Sequence, residues 1–330
     1  MRIQNLALMA LLLAFACGRE KEKKDISAET PLRIVNVPSF NADSAYFFVQ
    51  KQVDFGPRVP NSEAHKAAGD YFIDLLKNYG AAVIVQEFES TTFVGKKLKL
   101  RNIIASFYPE KQKRILLAAH WDTRPFADKD DQNKDKPIDG ANDGASGVAV
   151  LLEIARTLQQ ERQPPDAGID IILFDGEDWG EKEGDNHVPL AQGLDSWYCL
   201  GSQYWSKNKH KPNYSAFYGI LLDMVGGKNA LFYREGFSLQ FAPKVVQKVW
   251  NAAAQLGYGH IFVKQNQGQV IDDHLFVNQY AKIPMIDIIS FDPTTSFGPF
   301  HHTHDDNMDL ISKETLKAVG HTLLHVIYYE

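Results

Sequence analysis

Three carboxylates fall within four positions of the stretch FDGEDWG (residues 174–180), where Asp175, Glu177 and Asp178 follow the apolar run GIDIIL. Like charges at this spacing raise one another's pKa and resist burial. A chain that gathers them at the end of a buried strand therefore has to supply a compensating cation, and a bound metal ion is the commonest one. Further residues of ligand type stand elsewhere: His120 and Asp122 in HWD, Asp143 in DGANDGASG, Asp223 in LLDMVGG, and His301, His302 and His304 in FHHTHDD. Each has a plainer alternative. Asp143 could cap the helix that follows it, Asp175 could serve its own loop, and the three histidines could belong to a solvated loop, although a three-histidine cluster beside two aspartates is unusual for one.

The elements around these residues decide whether they can meet. NSEAHKAAGDYFIDLLKNYG places Ala64, Ala67, Ala68, Tyr71, Phe72, Leu75 and Leu76 on one helical face, with Asn61 or Ser62 as cap and Gly80 as stop. Strand-like runs follow at AAVIVQEFE, LKLRNIIASF and KRILLAAH, and the last is apolar enough to be central. Next come a helix over about 146–162, the strand GIDIILF, a helical GSQYWSKN, the strand FYGILLDMV, a long helix FAPKVVQKVWNAAAQLG, the strand PMIDIIS and a final helix from Lys313 capped by Ser312. Strands alternating with helices predict an α/β fold with a mixed, mainly parallel central sheet flanked by helices on both faces. Ligands of such sheets bind beyond the C-terminal ends of the strands. Four separate strands here deliver His, Asp or Glu to that rim.

Composition sets the outer bounds. The 330 residues are 44% hydrophobic and 23% charged, enough for a large core, and a net charge of −6 without a basic stripe gives no footprint for nucleic acid. The start, MRIQNLALMALLLAFAC, has one early Arg2 and an apolar stretch too short to span a bilayer, which is the pattern of an export signal. Its end, LAFAC, resembles a bacterial lipoprotein signal in which Cys17 becomes acylated, with Leu13 one place further from the cysteine than usual; plain cleavage after Ala16 is the alternative. The expected organisation is a signal over 1–17, a charged tether over 18–34 and one domain over 35–330, in an exported, periplasmic protein touching a membrane only through a lipid anchor. Only Cys199 then remains unacylated, so the mature domain can form no internal disulfide.

HWD (120–122), DGANDGASG (139–147), GED (176–178), LLDMVGG (221–227) and FHHTHDD (300–306) resemble, in order and spacing, the zinc-dependent aminopeptidases and their relatives, the animal-type glutaminyl cyclases. The resemblance implies one zinc per chain held by Asp143, Asp178 and His302. Three protein ligands and one open position suit a catalytic zinc, and two carboxylates with a neutral imidazole leave the ion formally neutral. The family usually has Glu where Asp178 stands, so the shorter Asp draws the metal closer to its loop. Glu177, beside a ligand, is then placed to shuttle a proton during attack on a polarised carbonyl.

Aminopeptidases of this family bind a second zinc through residues matching His120, Asp143 and Asp223, all present here, so ligand count leaves a two-zinc aminopeptidase as the alternative. IDDHLF (271–276) is similar to the cyclase segment whose first Asp, here Asp272, joins the catalytic Glu and the residue matching Asp223 in a hydrogen-bond network. FDGED, LLDMVGG and SFGPFHHTHDDN are also closer to cyclase wording, although animal cyclases have Trp where His301 stands. The resemblance thus implies a glutaminyl-peptide cyclotransferase acting on peptides and exported proteins with N-terminal Gln: zinc polarises the γ-carboxamide, Glu177 moves the proton, and Asp223 and Asp272 orient it. Trp179 and Phe297 are candidates for the pocket wall, with core packing as the alternative for each. A non-catalytic binding protein would have no reason to keep Glu177 beside every ligand position, and no basic group stands near the motifs to meet the phosphate of a nuclease or phosphatase substrate.

Overall fold

Strands that are apolar on both sides can be stable only where both faces of a sheet are covered. The computed structural model describes residues 35–182, 184 and 188–330 and places two such strands, β3 (Arg114–His120) and β4 (Gly168–Phe174), inside a six-stranded sheet. The export signal expected over 1–17 and the tether over 18–34 lie outside the described residues. The sheet order is β1 (Ala82–Thr91), β2 (Lys97–Phe107), β4, β3, β5 (Tyr218–Asp223) and β8 (Met285–Ile289). β1 and β2 form an antiparallel edge, while β4, β3, β5 and β8 run parallel. Register puts His120 opposite Phe174 and Asp223 opposite Ile289, so the segments leaving these strands emerge at one rim.

Helices cover both faces, as the alternating pattern implied. α1 (Ala42–Val53), α3 (Ala145–Gln160), α6 (Pro243–Gln255) and α8 (Lys313–Tyr328) contribute to the largest apolar cluster, with α2 (Glu63–Asn78) beside the β1–β2 edge. On the opposite side α4 (Leu200–Lys207) and the π-helical turn Val277–Ala281 that extends α7 (Asp273–Phe276) enclose a smaller core with Trp205, Val277 and Met285. β6 (Phe232–Arg234) and β7 (Phe262–Asn266) make a separate two-stranded parallel sheet. Residues 35–330 form one unit, and none of its described helices is long and apolar enough to cross a membrane.

Several local expectations are refined by the structure. Ser62 caps α2 through a bond from His65 N (3.1 Å), whereas Asn61 adopts φ +74° and bonds the β2 backbone at Lys97 and Lys99. The long helix expected over FAPKVVQKVWNAAAQLG is α6, preceded by a short helix that the sequence pattern does not mark. α5 (Gly236–Phe241) ends where Ala242 turns to φ −137°, and Pro243 opens α6, since proline has no N–H to donate and suits a first turn. The start of α3 lies so close to the sheet that a Cβ on Gly147 would meet Leu222 O at 2.4 Å and Ala119 Cβ at 3.0 Å. That approach carries the preceding Asp143 loop over the ends of β3 and β5.

Candidate active site

At the rim the expected ligand residues come together. His302 Nε2 lies 3.3 Å from Asp178 Oδ1 and 4.0 Å from Asp143 Oδ2, and all three side chains are buried. Asp178 Oδ2 has no hydrogen-bond partner. A tetrahedral zinc with bonds of about 2.1 Å sets its ligand atoms about 3.4 Å apart, which the His302–Asp178 pair matches and the His302–Asp143 pair exceeds. The ligand atoms that gather within 4.8 Å at this end of the cavity are those of Asp143, His301 and His302, and the orphaned Asp178 oxygen leaves a buried donor for a cation beside them. Burial, then the neighbouring Asp143, pushes the Asp178 pKa well above the carboxylate range, the penalty a cation would relieve. Burial and the Arg124 guanidinium bring His302 down to about 3, leaving its imidazole neutral as a ligand must be. Asp128 Oδ1 stands 3.7 Å behind His302 Nδ1, where a carboxylate steadies a ligating ring. Asp143 does not cap α3: the cap position is Gly144, and no side chain bonds there.

Asp143 also faces the other way. Its Oδ1 is 3.0 Å from His120 Nε2, which is 3.1 Å from Asp223 Oδ1. Burial lowers the His120 pKa, but the bonds to Asp122, Asp143 and Asp223 hold it well above its ordinary value. Burial opposes ionisation of Asp143 too, yet the His120 bond and charge leave its pKa well below the usual range, while Asp223 rises to about 7 under burial. The ligand atoms of His120, Asp143 and Asp223 lie within 4.8 Å of one another, so the set can act as a hydrogen-bonded brace or hold a cation.

The FDGED stretch is fixed by its backbone. Asp122 accepts Glu177 N at 3.0 Å and Asp178 N at 3.2 Å, one on each oxygen. Asp175 turns away from the rim and accepts Arg101 N (2.7 Å) and His65 Nε2 (2.9 Å), the His65 ring stacking on Trp121 at 4.2 Å. Gly176, at φ +74°, makes the reversal; a Cβ there would press on Leu100 at 2.9 Å. Glu177 accepts a bond from Cys199 Sγ at 3.1 Å, and Asp272 offers an oxygen within 4.8 Å of both. Burial, with Asp272, Asp178 and Asp273 adding repulsion, raises the Glu177 pKa well above the glutamate range. Asp272, Asp273 and Asp287 are raised as well, chiefly by burial, so these carboxyls share protons instead of all ionising.

Glu177, Asp178, Asp143, Asp223, Asp272 and His302 line one cavity of about 380 Å³, a size that suits a small ligand group. A larger open groove of about 900 Å³ between α2 and the β1–β2 edge contains none of them. Phe297 lines the cavity, 4.7 Å from His301, as expected. Trp179 does not: its indole is buried with Phe88, Leu98, Leu100 and Leu200 behind the loop, under Lys96 Nζ at 4.5 Å, and the core-packing alternative holds for it. His301 stacks on His302 at 3.6 Å and takes Lys129 Nζ on Nδ1 at 2.7 Å. Tyr198, Val270 and Ile289 also line it without any motif marking them, as does Met224, which lies inside LLDMVGG, where the sequence marks no wall residue. Cys199, Met224 and His302 hold left-handed φ of +58°, +49° and +60°, strain of about 1 kcal/mol or more each, which concentrates at functional sites.

Fold and site define a zinc-peptidase-like enzyme, and residues 102–327 match the family model Peptidase family M28, so the chain belongs to that family. It is similar to the crystal structure of Bacteroides thetaiotaomicron glutaminyl cyclase bound to N-acetylhistamine, at 53% identity over 89% of this chain and 100% of that one, with a TM-score of 0.85. It is also similar to a Zn-dependent exopeptidase from Parabacteroides distasonis, at 52% identity, the same coverage and a TM-score of 0.85. Glutaminyl-peptide cyclotransferase of Drosophila melanogaster is 25% identical over 285 residues, 78% of this chain and 73% of the fly protein. The family resemblance read from the five motifs is upheld. The same relationships imply zinc as the metal of the site.

Proposed function

We propose that this protein is a glutaminyl-peptide cyclotransferase, converting the N-terminal glutamine of peptides and proteins to pyroglutamate with release of ammonia. The supporting observation is the Glu177 carboxyl, held by Cys199 beside Asp272 and opening on the same cavity as the Asp143, Asp178 and His302 donors. Similarity to glutaminyl cyclase over most of the chain agrees with it.

In this reading one zinc per chain sits among Asp143, Asp178 and His302. Bound there, it supplies Lewis-acid polarisation of the γ-carboxamide carbonyl. The cavity folds the substrate so that its own α-amine approaches that carbon, and holding a five-membered path in place contributes much of the acceleration. Glu177 takes a proton from the amine and delivers one to the departing ammonia. Burial and the neighbouring carboxylates raise its pKa, which favours a carboxyl that can hold a proton as well as give one up. Asp272 and Asp223 orient it, His120 braces Asp143 and Asp223, and Phe297 with His301 excludes water. No water is consumed.

A second reading, a two-zinc aminopeptidase, is favoured by the clustering of His120, Asp143 and Asp223 within 4.8 Å. Purified protein given a Gln-initiated and a Leu-initiated peptide separates the two. Ammonia from the first, with no free leucine from the second, is the cyclase outcome; free leucine would overturn it. The opening sequence supports export to the periplasm with a lipid anchor on Cys17, making exported proteins with N-terminal Gln the natural substrates.

A further inference from the structure

We infer that Asp306 is a positioning residue that fixes Asp143 relative to His302 and so sets the metal affinity of the site. The inference rests on Asp143 and His302 being zinc ligands. Asp306 is fully buried and collects three successive backbone N–H groups of the Asp143 loop. Its carbonyl accepts Ala141 N at 3.3 Å, Oδ1 accepts Asn142 N at 2.7 Å, and Oδ2 accepts Asp143 N at 3.0 Å. Backbone amides aimed at one carboxylate form a concave anion site.

Asp306 also belongs to the histidine loop, four residues beyond His302. Its own N–H bonds Thr303 O at 3.2 Å, and Thr303 Oγ1 bonds Phe300 O at 2.8 Å, so 300–306 is a closed turn. One side chain therefore joins the loop after β8 to the loop before α3, the two segments that must present Nε2 and Oδ2 to one ion. Neighbouring groups hold the far side of the 139–143 loop. Arg58, buried, donates to Asp139 O (2.9 Å) and Gly140 O (2.7 Å), and Asn142 Oδ1 accepts Gly226 N at 2.8 Å. Burial, then the Asp143 charge, raises the Asp306 pKa well above the carboxylate range against the two N–H donors and Arg58. The clamp rests on geometry, each oxygen accepting one backbone N–H.

Asp306→Asn keeps the shape but can offer one acceptor where two are used, turning its amide N–H groups against a backbone donor. The test is zinc affinity by competition with a chromogenic chelator, on the unaltered protein, Asp306→Asn, His302→Ala and Trp250→Phe. Trp250 packs on Phe262 in the main core, so Trp250→Phe controls for general loss of stability. The expected result is zinc binding about 10- to 100-fold weaker in Asp306→Asn, lost in His302→Ala and unchanged in Trp250→Phe. Unchanged affinity in Asp306→Asn beside loss in His302→Ala would overturn the role of Asp306 alone; unchanged affinity in His302→Ala would overturn the ligand assignment and the inference with it. Amide exchange on the zinc-free, unaltered protein needs no variant to fold: slow exchange at Asn142 and Asp143 is expected from a preformed clamp, and exchange at the rate of an open loop would contradict it.

Discussion

At the scale of single residues, the chemistry concentrates in Glu177. Its neutral isostere can fill the same space but carry no proton, so Glu177→Gln should lower kcat by about 10²- to 10⁴-fold while zinc content by metal analysis stays at the unaltered level. Loss of zinc in that variant would instead make Glu177 a ligand. Which residues could do chemistry was largely legible in the sequence, because clustered carboxylates and histidines at strand ends have few other uses. Trp179 was not, since nothing in FDGEDWG tells on which side of the Gly176 reversal the indole falls, and its burial with Phe88 and Leu100 is set by distant strands. Met224 and Ile289 were invisible for a related reason: an apolar residue lining a cavity has the same local pattern as one in the core.

Elements position these residues, and two contacts carry much of that work. α3 reaches the sheet through Gly147, where an added methyl would lie 2.4 Å from Leu222 O. Gly147→Ala should therefore cost about 1–3 kcal/mol in denaturant unfolding, the usual penalty of overpacking, and weaken zinc binding by displacing the Asp143 loop; an unchanged midpoint would show that the helix gives way freely. Glu235 ties the start of α5 to α7 and to Val270, accepting Ser238 N (2.6 Å), Val270 N (2.9 Å) and His274 Nε2 (3.0 Å). Burial opposes its ionisation, but the His274 bond and charge, then the N–H groups of Ser238 and Phe237, take its pKa from 4.5 to about 2. A depressed pKa adds stability that is present above pH 4.5 and lost as pH falls through that window towards 2. Urea midpoints followed against pH should thus fall less steeply below pH 4.5 in Glu235→Gln than in the unaltered protein. Neither contact could be read locally. The short β6–β7 pair likewise depends on packing around Phe232 and Phe262, which are distant in sequence.

On the scale of the whole molecule, strand and helix alternation was legible because buried parallel strands leave continuous apolar runs. The order in which they assemble was not, as no periodicity places β4 between β2 and β3. That order nonetheless sets the function, bringing the ends of β3, β4, β5 and β8 to one rim. A metal bound there should stabilise the fold by mass action, about 2.7 kcal/mol at a free zinc level 100-fold above Kd. Chelation should lower Tm and abolish turnover, with zinc restoring both, and His302→Ala should show no zinc-dependent rise. The measurement that bears most directly on the reaction is mass spectrometry of a Gln-initiated tripeptide after incubation with zinc-loaded protein in ¹⁸O-labelled water. Intramolecular attack consumes no water, so the expected product is the intact tripeptide lighter by one ammonia and free of label; free glutamine carrying ¹⁸O in its α-carboxylate would show that water, not the substrate's own amine, is the nucleophile.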